Sequence, residues 1–530
     1  MKTLDELYQQ MLKRAADGKP VGVDGDPKLI DCLAHPDDHP LIWRVKPCLC
    51  PPDEPHHCQE ACDWGAITSG PDGISIDDSQ CVGCQACVDA CKLDTLKTRK
   101  DLIPVVQELH DYDGPIYALV APAISGQFGP DVTMGKLRTA FKRLGFTGML
   151  EVAVFADILT LKEALEFDKN INNEDQFQLT SCCCPMWIAM IKKLYHQLLP
   201  NVPGSVSPMI AGGRTVKALH PKAKTVFIGP CLAKKAERKE PDLVGAIDYV
   251  LTYQELRDFL TVTDIDLASL PEDNVPHASE AGICYAYAGG VAEAVTETVH
   301  QLNPDRKVDI KTRKADGVPA CKAMINDILA GNRDGNFFEG MGCLGGCVGG
   351  PRAIIKKEEG KVNVQAYGKQ AAYKTPMENP YVIELLKQLG FPTASSHAYQ
   401  PNNNYIVAGE NSQELRESIS DLGMRVPTEP RNAFEAFHSC GFLIVPPKLC
   451  IKDMTVQTRD ESINGFMVGT YFSCEVCAGK SAVDCIVFSS TELDENNIEN
   501  FEMVEFSFHI FKTADRNTID DSKPVVLNFN

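Results

Sequence analysis

Apolar residues recur along this chain at two different periods. The first segment, MKTLDELYQQMLKRAADGK, mixes apolar and charged positions at helical spacing, which predicts an amphipathic helix without a signal-peptide core. Residues from about 30 to 95 lack long apolar runs and are rich in Cys, Pro, Asp and Gly, so they read as a small domain built around cofactors rather than around a hydrophobic core. From about 115 strands and helices alternate. IYALVAPA (116–123) predicts a buried strand, Met134, Leu137, Phe141 and Leu144 fall at helical spacing, and MLEVAVFA (149–156) predicts the next strand. A helix around 159–168 follows, and KTVFIGPC (224–231) is a buried strand running into a cysteine. Such alternation predicts an α/β fold with parallel sheets, whose sites lie at the carboxyl ends of strands. The pattern fades after Phe391, where SSHAYQPNNN reads as a linker, and short strand-like runs over about 445–530 predict a small all-β module.

Composition narrows the class. Lys and Arg number 52 against 72 Asp and Glu, giving a formal charge of −20 over 530 residues, which argues against a general nucleic-acid binder. No apolar run approaches the roughly 20 residues of a membrane span. The 22 cysteines change the picture most. Without a secretion signal a disulfide framework is not expected, so a cytoplasmic location with reduced thiols is. They are clustered as well, with nine between Cys32 and Cys91, three in a row at Cys182, Cys183 and Cys184, and a pair at Cys343 and Cys347.

Cys81, Cys84, Cys87 and Cys91 form C-x2-C-x2-C-x3-C, a spacing that wraps three corners of an iron–sulfur cubane and sends the fourth thiolate to a neighbouring cluster. Zinc, the competing reading, prefers paired C-x2-C knuckles. The other half is irregular, with Cys48, Cys50, Cys58 and Cys62. Together with DWGAIT after Cys62 and LDTL after Cys91, the segment resembles a bacterial two-cluster ferredoxin, although Asp63 and Lys92 replace the customary proline. The resemblance implies two [4Fe-4S] clusters, one on Cys81, Cys84, Cys87 and Cys62 and the other on Cys48, Cys50, Cys58 and Cys91. Cys32 is an alternative ligand.

Three further segments carry thiols: TSCCCPMW (180–187), GPCLAKKAE (229–237) and FFEGMGCLGGCVGG (337–350). Each alone reads as buried small hydrophobes or a glycine turn; together they supply ligands for a third cluster. In this order they resemble the three signature loops of [FeFe]-hydrogenases over roughly residues 30–390, and the triple cysteine resembles the group B branch. The resemblance implies a third [4Fe-4S] cubane on Cys184, Cys231, Cys343 and Cys347. Cys347 would also bridge to a diiron subcluster bearing carbonyl, cyanide and a bridging dithiolate amine. It makes Cys183 the terminal proton donor, Lys234 a donor to cyanide and Met341 a packing partner, with Lys235 left as a solvated lysine. Anchoring the loop on Thr180-Ser181 instead of Pro185 moves the cysteine roles to Cys182 and Cys183. Glu163 and Glu166 match the family's relay carboxylates; surface glutamates are the bland alternative. Counting back from Ser207-Pro208 puts Pro203 where the family has a relay serine, with Ser205 or water as substitute. Gly229, Ala123 and Tyr285 replace a methionine, a serine and a phenylalanine of the family pattern.

The implied organisation is an N-terminal helix (1–29), a two-cluster ferredoxin-like α+β domain (30–110), the hydrogenase catalytic domain (111–395), a linker (396–444) and a β-module (445–530). That last module resembles a β-sandwich of bacterial surface proteins, and Cys474, Cys477, Cys450 and Cys485 make a weak metal pattern in it. The implied activity is reversible reduction of protons to H2. Electrons would come from ferredoxin or a similar low-potential carrier, docking near Lys92, Lys97, Arg99 and Lys100, and maturation proteins would install the diiron unit. The rival readings are a hydrogen sensor with little turnover and a non-catalytic relative of the iron–sulfur assembly type.

Overall fold

The computed structural model describes residues 2–48, 50, 56–70, 73–180, 183–273 and 277–388, together with six short strands between 454 and 511. The chain divides into two compact units, residues 1–422 and 423–530.

Two parallel sheets organise the first unit. In one, strands run in the order Gly148–Glu151, Ile116–Val120, Lys224–Gly229 and Tyr249–Thr252, all parallel. In the other, Thr312–Asp316, Phe337–Met341 and Gln178–Leu179 are likewise parallel. Helices cover these strands, and the near-continuous burial of Phe337–Met341 and Thr225–Gly229 is what a parallel strand covered on both faces requires. The α/β class is as expected. The strand expected over 149–156 is shorter: it ends at Glu151, and Ala153 already opens a helix that runs to Asn170 rather than from 159 to 168. That helix is buried nearly all round, so its apolar residues carry no clean stripe from which to read its start.

The amphipathic N-terminal helix spans Leu4–Ala16, closed by a Thr3/Glu6 capping box. It buries Leu4, Leu7, Tyr8, Met11 and Leu12 in one apolar core with Leu102, Val106, Leu256 and Phe259. Cys32 lies in this same core. Its charged neighbours are Asp31, Lys28 and Asp26, and no cysteine of either ferredoxin-like group is among them, which speaks against a ligand role.

Residues 42–98 form two small antiparallel pairs, Ile42–Arg44 with Leu96–Thr98 and Ile67–Gly70 with Gly73–Ile76, plus short helices His57–Glu60 and Ala86–Ala90. Contrary to the expectation of a coreless segment, they share a small apolar cluster of Ile42, Ile67, Ile74 and Leu96. Leu232 from the loop after Lys224–Gly229 completes it.

A buried ionic network locks that loop in place. Lys235 is fully buried rather than solvated. Its Nζ donates to Glu255 Oε1 at 3.0 Å and to the Arg99 carbonyl at 3.1 Å, and stands 3.4 Å from Asp101 Oδ1. Arg99 in turn pairs with Asp101 at 2.9 Å and is itself buried, so it belongs to no exposed basic patch. Lys97 pairs with Asp94, and Lys100 stands 3.6 Å over the Tyr8 ring, which leaves Lys92 as the exposed member of that group. Burial raises the Asp101 pKa, but the charges of Lys235, Arg99 and Arg238 outweigh it and hold the carboxyl below its usual range.

In the second unit, strands Met454–Gln457, Thr470–Cys474, Cys485–Ser489 and Ser507–Phe511 form an antiparallel sheet, beside a hairpin of Ser462–Ile463 and Phe466–Met467. The linker, Cys450 and Cys477 lie outside the described residues.

Removing one partner of a buried ion network strands the others. Lys235→Met is expected to lower the urea-unfolding free energy of the full chain by about 3 kcal/mol, whereas Lys92→Ala should change it by less than about 0.5 kcal/mol.

Candidate metal centre at the strand ends

Parallel strands deliver side chains to one end, and here that end collects thiols. Leu179 ends one strand four residues before Cys183, Gly229 ends another two residues before Cys231, and Met341 ends a third two residues before Cys343. Cys184 caps the helix Pro185–Leu194, whose first residue is proline as helix starts favour, and its Sγ accepts the Gly342 N–H at 3.3 Å. Cys347 opens a single 3-10 turn.

Cys184, Cys231, Cys343 and Cys347 are each other's electrostatic neighbours. Burial, followed by the charges of Cys184 and Cys231, pushes Cys347 up to about 12. Burial and Cys184 push Cys231 to about 11, and burial with Cys231, Cys184 and Cys347 drives Cys343 well above the ordinary thiol range. All four are free thiols. Four soft donors gathered where burial and neighbouring sulfurs oppose their ionisation match the chemistry of an iron–sulfur ligand set, whose iron offsets that cost by binding the deprotonated sulfurs.

Glycines let backbone close in around them. Gly346 has φ +82°, and a Cβ there would stand 2.6 Å from the Ala288 nitrogen. Gly229, where the family pattern has a methionine, has its side-chain space taken by the Phe227 ring, 2.6 Å from the Cβ position.

Cys183 lies beside this set. Burial first, then the charges of Cys184, Glu163, Glu339 and Cys347, raise its pKa well above the ordinary value. Glu163 is fully buried on the helix Ala153–Asn170, so it is not a surface glutamate, while Glu166 is partly exposed and ion-paired with Lys162. Lys234 is buried and pairs with Glu237 at 2.7 Å. Burial opposes its charge, yet Glu237, Cys231 and Cys347 hold its pKa above the usual lysine value. Met341 is buried on its strand, and Ser205 is fully buried.

Other polar groups surround this site, of which sequence reasoning singles out Tyr285 alone. Tyr285 Oη accepts from Thr160 Oγ1 at 2.9 Å, and its charged neighbours are Glu163, Cys183 and Asp157. Glu339 accepts the backbone N–H groups of Gly289 (2.7 Å) and Ala292 (2.8 Å) at the start of the helix Gly290–Leu302, and burial raises it to about 7. Asp157, raised to about 7 by burial, accepts from Ser279 and Asn379. Cys321 is fully buried and has Cys184 as an electrostatic neighbour. An acidic residue inside an otherwise apolar strand, such as Glu339 in NFFEGMG, is the one signal that was present.

The ferredoxin-like cysteines separate into two groups. Cys62, Cys81, Cys84 and Cys87 line one pocket with Ile42, Trp64 and Ile67. Cys50 has Cys48, Cys58 and Cys91 as neighbours, and Cys58 has Cys91 and Cys48. The first group abuts the strand-end site: Cys84 is among the charges that Cys343 feels, and Gly83 (φ +70°) would place a Cβ 3.1 Å from Ala233 Cα.

A parallel α/β protein whose strand ends gather thiols is thus the class. Residues 114–351 match the family model described as "Iron only hydrogenase large subunit, C-terminal domain", so this part of the chain is iron-only-hydrogenase-like. It is 27% identical over 380 residues to the NADP-reducing hydrogenase subunit HndD of Solidesulfovibrio fructosivorans, covering 60% of this chain and 65% of that one. To iron hydrogenase 1 of Clostridium pasteurianum it is 28% identical over 280 residues, covering 45% and 49%. To a probable cytosolic Fe-S cluster assembly factor of Drosophila melanogaster it is 25% identical over 298 residues, covering 48% and 62%. The chain therefore spans between about half and two thirds of the length of these curated relatives. Among the described residues no helix is long and apolar enough to cross a membrane.

Asp157 gives a test of the buried polar layer. Its folded-state pKa is raised from 3.8 to about 7, so the native protein keeps a proton that the unfolded chain releases. The stability this supplies is complete below the unfolded pKa and is lost as pH rises towards 7. Urea unfolding should show the wild-type stability falling relative to Asp157→Asn by up to about 1.4 kcal/mol per pH unit between roughly pH 4 and 7. A pH-independent difference would contradict the assignment.

Proposed function

We propose that this protein is an [FeFe]-hydrogenase-type oxidoreductase catalysing 2H⁺ + 2e⁻ ⇌ H2. The observation that carries the reading is the convergence of Cys184, Cys231, Cys343 and Cys347 at parallel strand ends, directly against the Cys62, Cys81, Cys84 and Cys87 group. Those four strand-end thiols would hold a [4Fe-4S] cubane, with Cys347 bridging to a diiron subcluster carrying carbonyl, cyanide and a bridging dithiolate. When bound, that subcluster supplies the metal at which protons and electrons combine.

The chain's own residues do the rest. Cys183 holds a transferable proton at Sγ on the edge of the site, and Glu163, its buried neighbour, replenishes it. Glu166, one turn further along the helix and partly exposed, connects Glu163 towards solvent. The Lys234 ammonium, held by Glu237, presents a hydrogen-bond donor beside Cys231 and Cys347, where an anionic cyanide would be stabilised. Met341 packs the pocket wall. The ferredoxin-like cysteines would hold [4Fe-4S] groups able to pass electrons towards Cys343, whose charged neighbours include Cys84, from a ferredoxin or similar low-potential carrier in the cytoplasm. Cys183 has Glu163 among its charged neighbours and Cys231 has Cys184, which supports the proline-anchored register of the group B-like triple cysteine; Cys182 lies outside the described residues.

The similarity to Fe-S assembly factors favours a second reading, a protein that holds cubanes without turning over hydrogen. Hydrogen evolution from a reduced viologen dye, after anaerobic loading with the diiron unit, separates the two. The catalytic reading expects turnover that falls about 100-fold or more in Cys183→Ser and in Glu163→Gln, at unchanged iron content. Slow hydrogen binding without turnover would mark a sensor, and a loaded chain inert to hydrogen would favour the assembly-type reading.

A further inference from the structure

The two ferredoxin-like halves are built differently around a shared template. In the regular half, Cys87 lies in the first turn of the helix Ala86–Ala90, Gln85 caps that helix, and Cys84 immediately precedes the cap. In the irregular half, Cys58 lies in the first turn of the helix His57–Glu60 and His56 caps it, but positions 52 and 55, which match Cys81 and Cys84, are prolines. The donors missing there come from upstream, at Cys48 and Cys50. Together with Cys58 and Cys91 they form the second thiol group.

Into that group projects a side chain that is not a cysteine. Cys48 Sγ, Cys50 Sγ and a ring nitrogen of His56 all lie within 4.8 Å of one another. The two thiols satisfy each other, with Cys48 donating to Cys50 at 3.5 Å. His56 Nδ1 is buried and has no hydrogen-bond partner among the described residues. A buried ring nitrogen without a partner carries a desolvation cost that coordination to a metal removes. A four-iron cluster takes four protein ligands, so beside Cys58, Cys91 and His56 one thiol of the Cys48–Cys50 pair suffices.

We propose that His56 is the non-cysteine ligand of the second iron–sulfur cluster, completing a set made by Cys58, Cys91 and one thiolate of the Cys48–Cys50 pair. The proposal rests on the iron–sulfur reading of this segment. A neutral imidazole in place of a thiolate removes one negative charge from the ligand set, which raises the reduction potential, as histidine ligation does at other iron–sulfur centres. The cluster on Cys62, Cys81, Cys84 and Cys87 sits next to the strand-end site, so the His56 cluster would be the outer of the two and the point of electron entry.

The test is electron–nuclear double resonance on the full chain, isolated without oxygen and reduced. A nitrogen bonded directly to one cluster is expected in the wild type and should vanish in His56→Ala, with the signal of the inner cluster intact. His56→Cys should retain the iron and shift one midpoint potential downward in a redox titration, leaving the others in place. One of Cys48→Ser and Cys50→Ser should keep the wild-type iron and sulfide content. Clusters without a bonded nitrogen, or a nitrogen that persists in His56→Ala, would overturn the proposal. So would one zinc per chain that disappears in His56→Ala, which would mean a single-ion site. Absence of any cluster signal or bound iron is a separate result, which defeats the iron–sulfur reading of the segment itself.

Discussion

Four cysteine thiols gathered at the ends of parallel strands are costly to ionise, because burial and the neighbouring sulfurs both oppose the charge, and this constraint governs much of the surrounding structure. Burial and neighbouring thiols push Cys231 and Cys347 to about 11 and 12, values at which an apo-protein keeps them protonated. Polycationic iron reverses that penalty, because binding the deprotonated sulfurs turns repulsion into coordination. The parallel sheets provide the means of assembly. Each strand is largely buried and ends within four residues of a thiol, so the thiols converge without a scaffold of their own.

The same constraint accounts for the loop after Lys224–Gly229. It places Cys231 in the site, Leu232 in the apolar cluster of the ferredoxin-like segment, Ala233 against Gly83, Lys234 beside the thiols and Lys235 in a buried ionic network. Five consecutive residues thus tie the strand-end site to the segment that would feed it electrons. Lys234 and Lys235 look alike in sequence but serve separate ends: Lys234, held by Glu237, puts positive charge beside Cys231 and Cys347, and Lys235 fastens Arg99, Asp101 and Glu255 together.

What could be read from the sequence follows from how local each signal is. Buried β-runs such as IYALV and KTVFIG declare themselves by apolar continuity, and the N-terminal helix by its stripe and Thr3–Glu6 cap. The cysteine spacings carried the ligand candidates for the same reason, since C-x2-C-x2-C needs only neighbouring residues. Long-range pairings were not legible. Lys235 looks like a surface charge until Glu255 and Asp101 meet it, Arg99 looks like part of a basic patch until Asp101 covers it, and Cys32 looks like a ligand until the N-terminal helix encloses it. The start of the helix at Ala153 was hidden because a helix buried on all sides has no polar face to set its period. Tyr285 was visible as a departure from the family pattern, but its partnership with Thr160 and its place beside Glu163 belong to the tertiary structure.

The central claim is that the strand-end thiols hold a cubane bridged to a diiron unit. An infrared spectrum of the anaerobically purified chain, loaded with the diiron unit under conditions verified on a known hydrogenase, addresses it most directly. The account predicts iron-bound carbonyl and cyanide stretches that shift under hydrogen and are lost in Cys347→Ala. A loaded chain without such bands, with its cubane iron fully present, would contradict it.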